Sequence, residues 1–482
     1  MSTITGDQAY VDSELTAARG TMTEHVLTVD EQVEIEQEHG IKYRSCSWQK
    51  TAALLFAQYR ALPIMSLPAA YSALGIFLGL LMTLVMALIV LYTSLILWKF
   101  CIQHPEVRDF CDVGQVLFGG KRWAWYFTAA LFLLNNVFVS GIHLLIGARY
   151  VETISHRGWC AVSITAIMSV ICLVGTLPRT FAGLSKVASA TAFCTFIAVL
   201  LATIFAGIEP HPAGYNSGKM NNGLLMDGMP HVHALPKGTT FMAGMNAFLN
   251  ITYTLIGQIT MPSYIAEMRH PEDFPKAIWS VMVCNSLLCG LVGSVIYAYV
   301  GDQYMTSPAF SSISNETYRI VSFSFMVPTL SFTGVLYSSV SAHFVFDNLF
   351  AGSRHRAFHT VQGWAAWIGI LMTIWGFTFV LTELIPFFGD MLALMSALFD
   401  SFFGFTFWGM ACLQLRRTGK DSLKGDQNWL VPLVGGGLII SGTFVLGVGM
   451  YVNLSIHVPP PSIASKFFLR AMRTISFSAV LP

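Results

Sequence analysis

The chain has 482 residues, of which 54% are hydrophobic and only 11% charged, and its formal net charge is +1. Soluble globular proteins carry about 25% charged residues, so the composition excludes an ordinary soluble domain. The balance of charge and the nine cysteines also argue against a nucleic-acid binder and a secreted disulfide scaffold, which leaves an all-α polytopic membrane protein.

The first 45 residues are polar and lack the apolar core of a cleavable signal peptide. They contain nine acidic and three basic residues, which gives a formal net charge of −6, whereas residues 46–482 have a formal net charge of +7. We therefore predict a disordered, acidic cytoplasmic tail over 1–45, a transmembrane domain over 46–453 and a C-terminal tail over 454–482.

Long stretches without Lys, Arg, Asp or Glu predict about eleven membrane-spanning helices. With the N-terminus in the cytoplasm, the inner loops hold 14 Lys and Arg residues and the outer loops hold 5. This bias supports a cytoplasmic N-terminus, and the lipid bilayer is the first partner that the sequence implies.

The first helix contains two prolines, Pro63 and Pro68, five residues apart. Each removes a backbone donor and clashes with the preceding turn, so a continuous helix is not expected here. Arg60, just before this stretch, is unusual in an apolar helix and either binds an anionic group or reaches toward the membrane surface.

The sixth helix has a second interruption, where polar residues surround Gly257 and Pro262. Broken helices at matching positions in two halves are typical of transporters with inverted repeats. We predict repeats over 46–208 and 238–412, with an extra eleventh helix over 427–453.

Three ionisable residues lie inside predicted spans and are candidates for proton coupling, because such residues are costly in lipid. His143 is in the third helix, and Asp390 and Asp400 are in the tenth. Asp400, nearest the middle of its span, is the preferred site. A hydrogen-bonded structural role is the alternative for each.

Asn315 and Thr317 form an N-x-T sequon in a predicted outer loop. This position predicts a glycosylation site.

Residues 265–277 read I-A-E-M-R-H-P-E-D-F-P-K-A and resemble the E-M-x-x-P-x-D-F-P-K-A cytoplasmic segment of the amino acid/auxin permease family. Shorter similarities are S-L-P at 66–68, L-L-N-N at 133–136 and I-P-F-F at 385–388. The resemblance covers about residues 46–453 and is greatest for fungal neutral amino acid permeases of the methyltryptophan-resistance type.

This resemblance implies a leucine-transporter-like, five-plus-five inverted-repeat fold and proton-coupled symport of neutral amino acids. We expect no cofactor or metal, and a plasma membrane location in preference to a vacuolar one, although the sequence does not distinguish these two membranes. The substrate is expected at the unwound parts of helices one and six. The corresponding residues are Ile64, Met65, Ser66, Leu67, Tyr253, Thr254, Gly257 and Gln258.

Three alternatives remain open at this point. Ser338, Ser339 and Ser341 in the eighth helix could bind sodium, although small hydroxyl residues are also common in helix packing. An amino acid sensor on the same fold could signal through the acidic tail. A membrane acyltransferase, using His104 and Asp109, is a weaker third interpretation.

Overall fold

The computed structural model describes residues 46–59, 62–107, 109–155, 160–178, 184–215, 220–221, 224–225, 228–350, 360–385, 387–417 and 430–457. The predicted tail 1–45, most of the C-terminal tail and Arg60 lie outside the described residues.

The described chain is helical almost throughout. Its α-helices are α1 (Trp48–Tyr59), α2 (Leu67–Leu74), α3 (Ile76–Gln103), α4 (Phe110–Leu117), α5 (Arg122–Ile154), α6 (Ala161–Thr176), α7 (Leu184–Ile208), α8 (Phe241–Leu255), α9 (Met261–Glu267), α10 (Phe274–Val300), α11 (Glu316–Ser324), α12 (Val327–Leu349), α13 (Val361–Leu384), α14 (Phe388–Met395), α15 (Phe407–Arg417) and α16 (Leu430–His457). A two-residue antiparallel ladder pairs β1 (Met220–Asn221) with β2 (Leu224–Leu225).

Eight helical segments in the described residues are long and apolar enough to cross a bilayer. Two interrupted segments, made by α1 with α2 and by α8 with α9, and the 16-residue helix α6 supply the remaining apolar segments of the sequence. The all-α, polytopic membrane class is therefore confirmed, while the count of eleven crossings stays a prediction.

Both interruptions lie where the sequence predicts them. After α1, residues Leu62–Ser66 form a 3₁₀ turn that contains Pro63, and α2 then begins. After α8, Ile256 is extended and residues Gln258–Thr260 form another 3₁₀ turn before α9. Proline and the change of hydrogen-bond pattern leave peptide groups outside regular α-helical pairing at both places.

Two groups of helices pack closely among themselves, and α7 contacts members of both. The first group contains α1, α2, α3, α8, α9 and α10, and the second contains α5, α6, α12 and α13. Helix α5 is largely enclosed by its neighbours, whereas α3 exposes a row of large apolar side chains of the kind that faces lipid.

A π-helical segment, Ser396–Thr406, connects α14 to α15. It packs most extensively against α16, the extra helix of the sequence analysis. Short π-helical stretches are rare and are frequently found at functional sites.

Candidate functional site

The two interrupted helices meet in the centre of the molecule. Thr254 Oγ1 donates to the Pro63 carbonyl oxygen at 3.4 Å and to the Asn250 carbonyl oxygen at 2.8 Å. Ser66 Oγ donates to the same Pro63 oxygen at 2.8 Å. The break in the first helix is therefore hydrogen-bonded to the last turn of α8.

Beside this junction is a cavity of about 550 Å³, lined by residues of α1, α5, α7, α8, α9, α12 and the π-helical segment. It extends from the buried Asp400 to the exposed Glu267. The lining residues include no Lys or Arg among those that the structure describes. The polar residues of its wall are Asn135, Asn136, His143, Thr191, Tyr253, Thr254, Gln258, Thr260, Tyr264, Glu267, Thr329, Thr333, Tyr337 and Asp400.

The four site residues predicted in the sixth helix, Tyr253, Thr254, Gly257 and Gln258, all line this cavity. Gln258 Nε2 donates to Thr93 Oγ1 at 2.9 Å, and Gln258 Oε1 makes no hydrogen bond to any described residue. This oxygen is buried without a partner, and contact with a substrate stays a prediction.

The four predicted residues of the first helix are placed differently. Ile64, Met65, Ser66 and Leu67 are all at most 1% exposed, and Pro63, rather than any of these, is the residue of this turn that lines the cavity. A substrate contact through their backbone stays a prediction.

Two of the proton-coupling candidates lie on the cavity wall. Asp400 is buried in the π-helical segment, and its Oδ2 has no hydrogen-bond partner among the described residues. His143 Nδ1 lies 2.8 Å from the Val139 carbonyl oxygen. Because a carbonyl only accepts, Nδ1 carries the proton and the unpartnered Nε2 of a neutral ring is an acceptor.

The third candidate, Asp390, does not line the cavity. Its Oδ1 accepts from Asn246 Nδ2 at 2.9 Å, and Asn246 Oδ1 accepts from Asn250 Nδ2 at 2.7 Å. Asn250 Nδ2 also donates to the Gly389 carbonyl oxygen at 3.1 Å. These residues, which we call the α8–α14 clasp, hold α14 against α8.

The site also contains a residue that was absent from the predicted set. Asn136 is 1% exposed and lines the cavity, and neither polar atom of its side-chain amide is hydrogen-bonded within the described part of the chain. The sequence could have predicted this residue. Asn135 and Asn136 are adjacent polar residues inside an apolar helix, where an unpaired amide is costly and therefore indicates a functional position.

The serines proposed for sodium have a different environment. Ser338 Oγ lies 2.9 Å from Ser140 Oγ, which also donates to the Gly334 carbonyl oxygen at 3.2 Å. These contacts join α12 to α5 within the second group. Over the described ranges, no cluster of three or more His, Cys, Asp or Glu side chains is arranged to hold a metal ion.

The two residues of the acyltransferase alternative have structural partners. His104 Nδ1 lies 2.9 Å from Glu106 Oε1. Asp109 Oδ1 accepts from the backbone N–H groups of Cys111 and Asp112 and caps α4. Neither residue lines the cavity.

Asn315 is exposed at the start of α11, and its Oδ1 accepts from the backbone N–H groups of Thr317 and Tyr318. Glycosylation at this position stays a prediction.

A family model described as transmembrane amino acid transporter protein matches residues 44–453. The chain is similar to the N amino acid transport system protein of Neurospora crassa, with 27% identity over 428 residues, 88% of each chain. It is 23% identical over 450 residues to a transmembrane transporter of Gibberella moniliformis, covering 92% of this chain and 90% of the relative. A transmembrane transporter of Fusarium pseudograminearum is 24% identical over 426 residues, or 87% and 85% of the two chains.

Proposed function

This chain belongs to the transmembrane amino acid transporter family, and from that membership we propose that it imports neutral amino acids together with protons. The family and its relatives' names indicate a multi-pass membrane transporter of amino acids rather than an enzyme. The observation that carries the finer proposal is the cavity, whose wall combines a buried carboxyl group, Asp400, with other residues that have unpaired polar atoms.

The interrupted helices suit an amino acid zwitterion. The last carbonyl groups of α8 carry partial negative charge and suit the substrate ammonium group. The Ile256 N–H still donates to the Thr252 carbonyl oxygen at 3.1 Å, but the backbone leaves the α-helix at Ile256 and Gly257, where peptide groups can contact a substrate without a charged side chain. The free Gln258 Oε1 adds an acceptor.

The rest of the cavity favours a neutral, apolar substrate side chain. Its wall includes Phe132, Phe332, Leu336 and Phe403, and a volume of about 550 Å³ is within the usual range for small-molecule sites. Without Lys or Arg among the described lining residues, an acidic substrate side chain has no partner, which supports large aliphatic or aromatic amino acids.

Asp400 is the proposed proton site. A buried carboxyl group with one free oxygen can take up a proton and so avoid a buried negative charge. His143 Nε2 is a second acceptor on the same wall. Sodium coupling is less favoured because none of Ser338, Ser339 and Ser341 lines the cavity, although the buried Ser341 Oγ has no hydrogen-bond partner among the described residues.

Alternating access would move the two helix groups relative to each other around the cavity. The α8–α14 clasp is on the side assigned to the outside by the charge bias of the loops, and Glu267 is on the side assigned to the cytoplasm. This arrangement supports an outward-closed conformation, in which the clasp separates the cavity from the proposed outer side. We further propose a plasma membrane location and a cytoplasmic N-terminus.

The test is uptake into reconstituted vesicles across a panel of amino acids, at two external pH values, with and without sodium. We expect uptake of large neutral amino acids, stimulated by an inward pH gradient and independent of sodium. Uptake that persists when the pH gradient and membrane potential are collapsed would contradict proton coupling. Preferred uptake of glutamate or lysine would contradict neutral selectivity.

A further inference from the structure

Gly404 lies in the π-helical segment at a point where another side chain comes very close to its backbone. A Cβ atom at this position would overlap Cδ1 of Ile256, and it would lie 3.2 Å from Cγ1 and 3.5 Å from Cγ2 of the same residue. Gly404 is buried and does not line the cavity, whereas Ile256 lines it. Ile256 therefore has Gly404 on one side and the cavity on another.

The break after α8 explains how Ile256 reaches this position. Ile256 is the first residue beyond α8, and its backbone is extended, with φ −88° and ψ 125°. The end of α8 packs against the π-helical segment, so the side chain of Ile256 is placed against that segment. Glycine is less favourable than alanine in the interior of a helix, which indicates that packing selects glycine at 404. The side chain that it accommodates is that of Ile256.

We propose that Gly404 sets the size of the substrate side chain that the cavity accepts, because it leaves room for Ile256 to pack away from the cavity. This inference rests on the proposed uptake of neutral amino acids and deepens it, since it names a residue that decides between large and small ones. Gly404 does not line the cavity, so it acts through Ile256 and is a positioning residue.

A methyl group at 404 would take the place that Ile256 Cδ1 now occupies. Since Cδ1 is the end of a flexible side chain, we expect this side chain to rotate while the backbone keeps its course. The cavity is the open space beside Ile256, so the displaced atom enters it and reduces the room for a substrate. A change of one methyl or methylene group in an apolar pocket alters discrimination between substrates by about 10–200-fold.

The experiment measures competition between two substrates in vesicles that contain the full-length chain. Labelled leucine and alanine are supplied together at one external pH, and the ratio of their initial uptake rates is recorded. Both rates come from the same protein, so the ratio does not depend on how much of a variant is folded. For Gly404→Ala, we expect the ratio of leucine uptake to alanine uptake to fall roughly tenfold.

Ile256→Val provides the matched rescue, because it deletes Cδ1, the atom that the new methyl group would overlap. The nearest remaining atom is then Cγ1, 3.2 Å from the added Cβ, a tight contact that a small shift relieves. We expect Gly404→Ala/Ile256→Val to return the ratio to within about threefold of the wild type. Ile256→Val alone should keep the wild-type ratio.

Two further glycine variants are controls for the added methyl group. Gly442→Ala disturbs the same π-helical segment from the side of α16, and no atom lies within 4 Å of a Cβ built at Gly376 of α13. Both Gly442→Ala and Gly376→Ala should keep the wild-type ratio, because neither new methyl group meets Ile256.

The outcomes separate this inference from the proposed function. If the wild type takes up neither leucine nor alanine, the proposed function is wrong and the inference fails with it. If the wild type takes up both and Gly404→Ala keeps their ratio, only the role of Gly404 is wrong. A fall in the ratio that Ile256→Val does not reverse, or an equal fall in Gly442→Ala, would also overturn it, since either result indicates a general distortion of the segment.

Discussion

Cys46 forms a parallel backbone bridge with Met268, which joins the chain just before α1 to the end of α9. The Cys46 N–H donates to the Glu267 carbonyl oxygen at 3.1 Å, and the Arg269 N–H donates to the Cys46 carbonyl oxygen at 3.0 Å. Next to it, Trp98 Nε1 of α3 donates to the Pro271 carbonyl oxygen at 2.8 Å. The start of α1, the end of α3 and the segment after α9 are thus held together.

We predict that α1 and α9 stay joined throughout the transport cycle. In Met268→Cys, the new thiol faces Cys46 across about 4.8 Å of strand spacing, within the Cα separation of about 4.4–6.8 Å that disulfides span. Oxidation should leave uptake within about twofold of the reduced protein, because both residues belong to one rigid group. The measurement is uptake before and after oxidant, with Cys46→Ala/Met268→Cys as the control that forms no bond. A loss of uptake reversed by reductant would show that the bridge must open.

The α8–α14 clasp should behave in the opposite way. Asn246 and Asp390 are joined by a 2.9 Å hydrogen bond on the proposed outer side, and a substrate entering from outside requires α8 and α14 to separate. For Asn246→Cys/Asp390→Cys, we expect oxidation to abolish uptake and reductant to restore it. Each single cysteine variant serves as a control. Full uptake by protein that is cross-linked at this pair would exclude the clasp as an outer gate.

The two aspartates of the tenth segment should differ in proton coupling. Asp400→Asn keeps the shape of the side chain and removes its ability to lose a proton, so we expect gradient-driven accumulation to disappear while exchange continues. Asp390→Asn retains an acceptor for Asn246 and should keep the pH dependence of the wild type. The measurement is uptake against external pH for both variants. An unchanged pH profile in Asp400→Asn would remove the assignment.

The sequence was sufficient for the membrane class and for both interruptions, because apolar length and the prolines at 63 and 262 act locally. The family resemblance supplied Tyr253, Thr254, Gly257 and Gln258 as expected substrate residues, and all four line the cavity, while their contact with substrate stays a prediction. The sequence could not predict whether Ile64 to Leu67 face the cavity. The direction of each side chain and peptide group in a 3₁₀ turn depends on tertiary packing.

The different environments of Asp390 and Asp400 could not be predicted from the sequence either. Both are acids in one apolar segment, and their environments diverge because α14 is hydrogen-bonded to α8 whereas the following residues adopt a π-helix. That π-helix packs against α16, a helix distant from it in the sequence. Neither relationship leaves a local pattern in the chain.

Gln258 provides a test of substrate contact in the second break. Its Nε2 donates to Thr93 Oγ1, and its Oε1 is buried without a hydrogen-bond partner among the described residues. Gln258→Ala should weaken substrate binding about tenfold, equivalent to about 1.4 kcal/mol for one lost polar contact. Thr93→Val retains Gln258 and should have a smaller effect. The measurement is substrate affinity by calorimetry in detergent. Equal affinity of Gln258→Ala and the wild type would contradict a contact between Gln258 and the substrate.

Gly442 of α16 provides the last test, which concerns the support of Asp400. A Cβ atom at this position would lie 2.6 Å from the Ser401 carbonyl oxygen and even closer to Thr406 Oγ1, inside the π-helical segment. Those two groups are themselves hydrogen-bonded at 2.7 Å, an i to i−5 contact that follows the π-helical repeat. The extra helix is therefore a direct support for the segment that carries Asp400.

We expect Gly442→Ala to lower the free energy of unfolding by about 1–3 kcal/mol, the usual cost of overpacking, and to alter the pH profile of uptake. Gly436→Ala and Gly447→Ala are matched controls on the same helix, because no atom lies within 4 Å of a Cβ built at either position. Thermal unfolding in detergent and uptake against external pH measure the two effects. If Gly442→Ala loses stability but keeps the wild-type pH profile, α16 supports the fold without setting the position of Asp400. If it matches the controls in both measurements, the close packing of α16 on the π-helical segment is wrong.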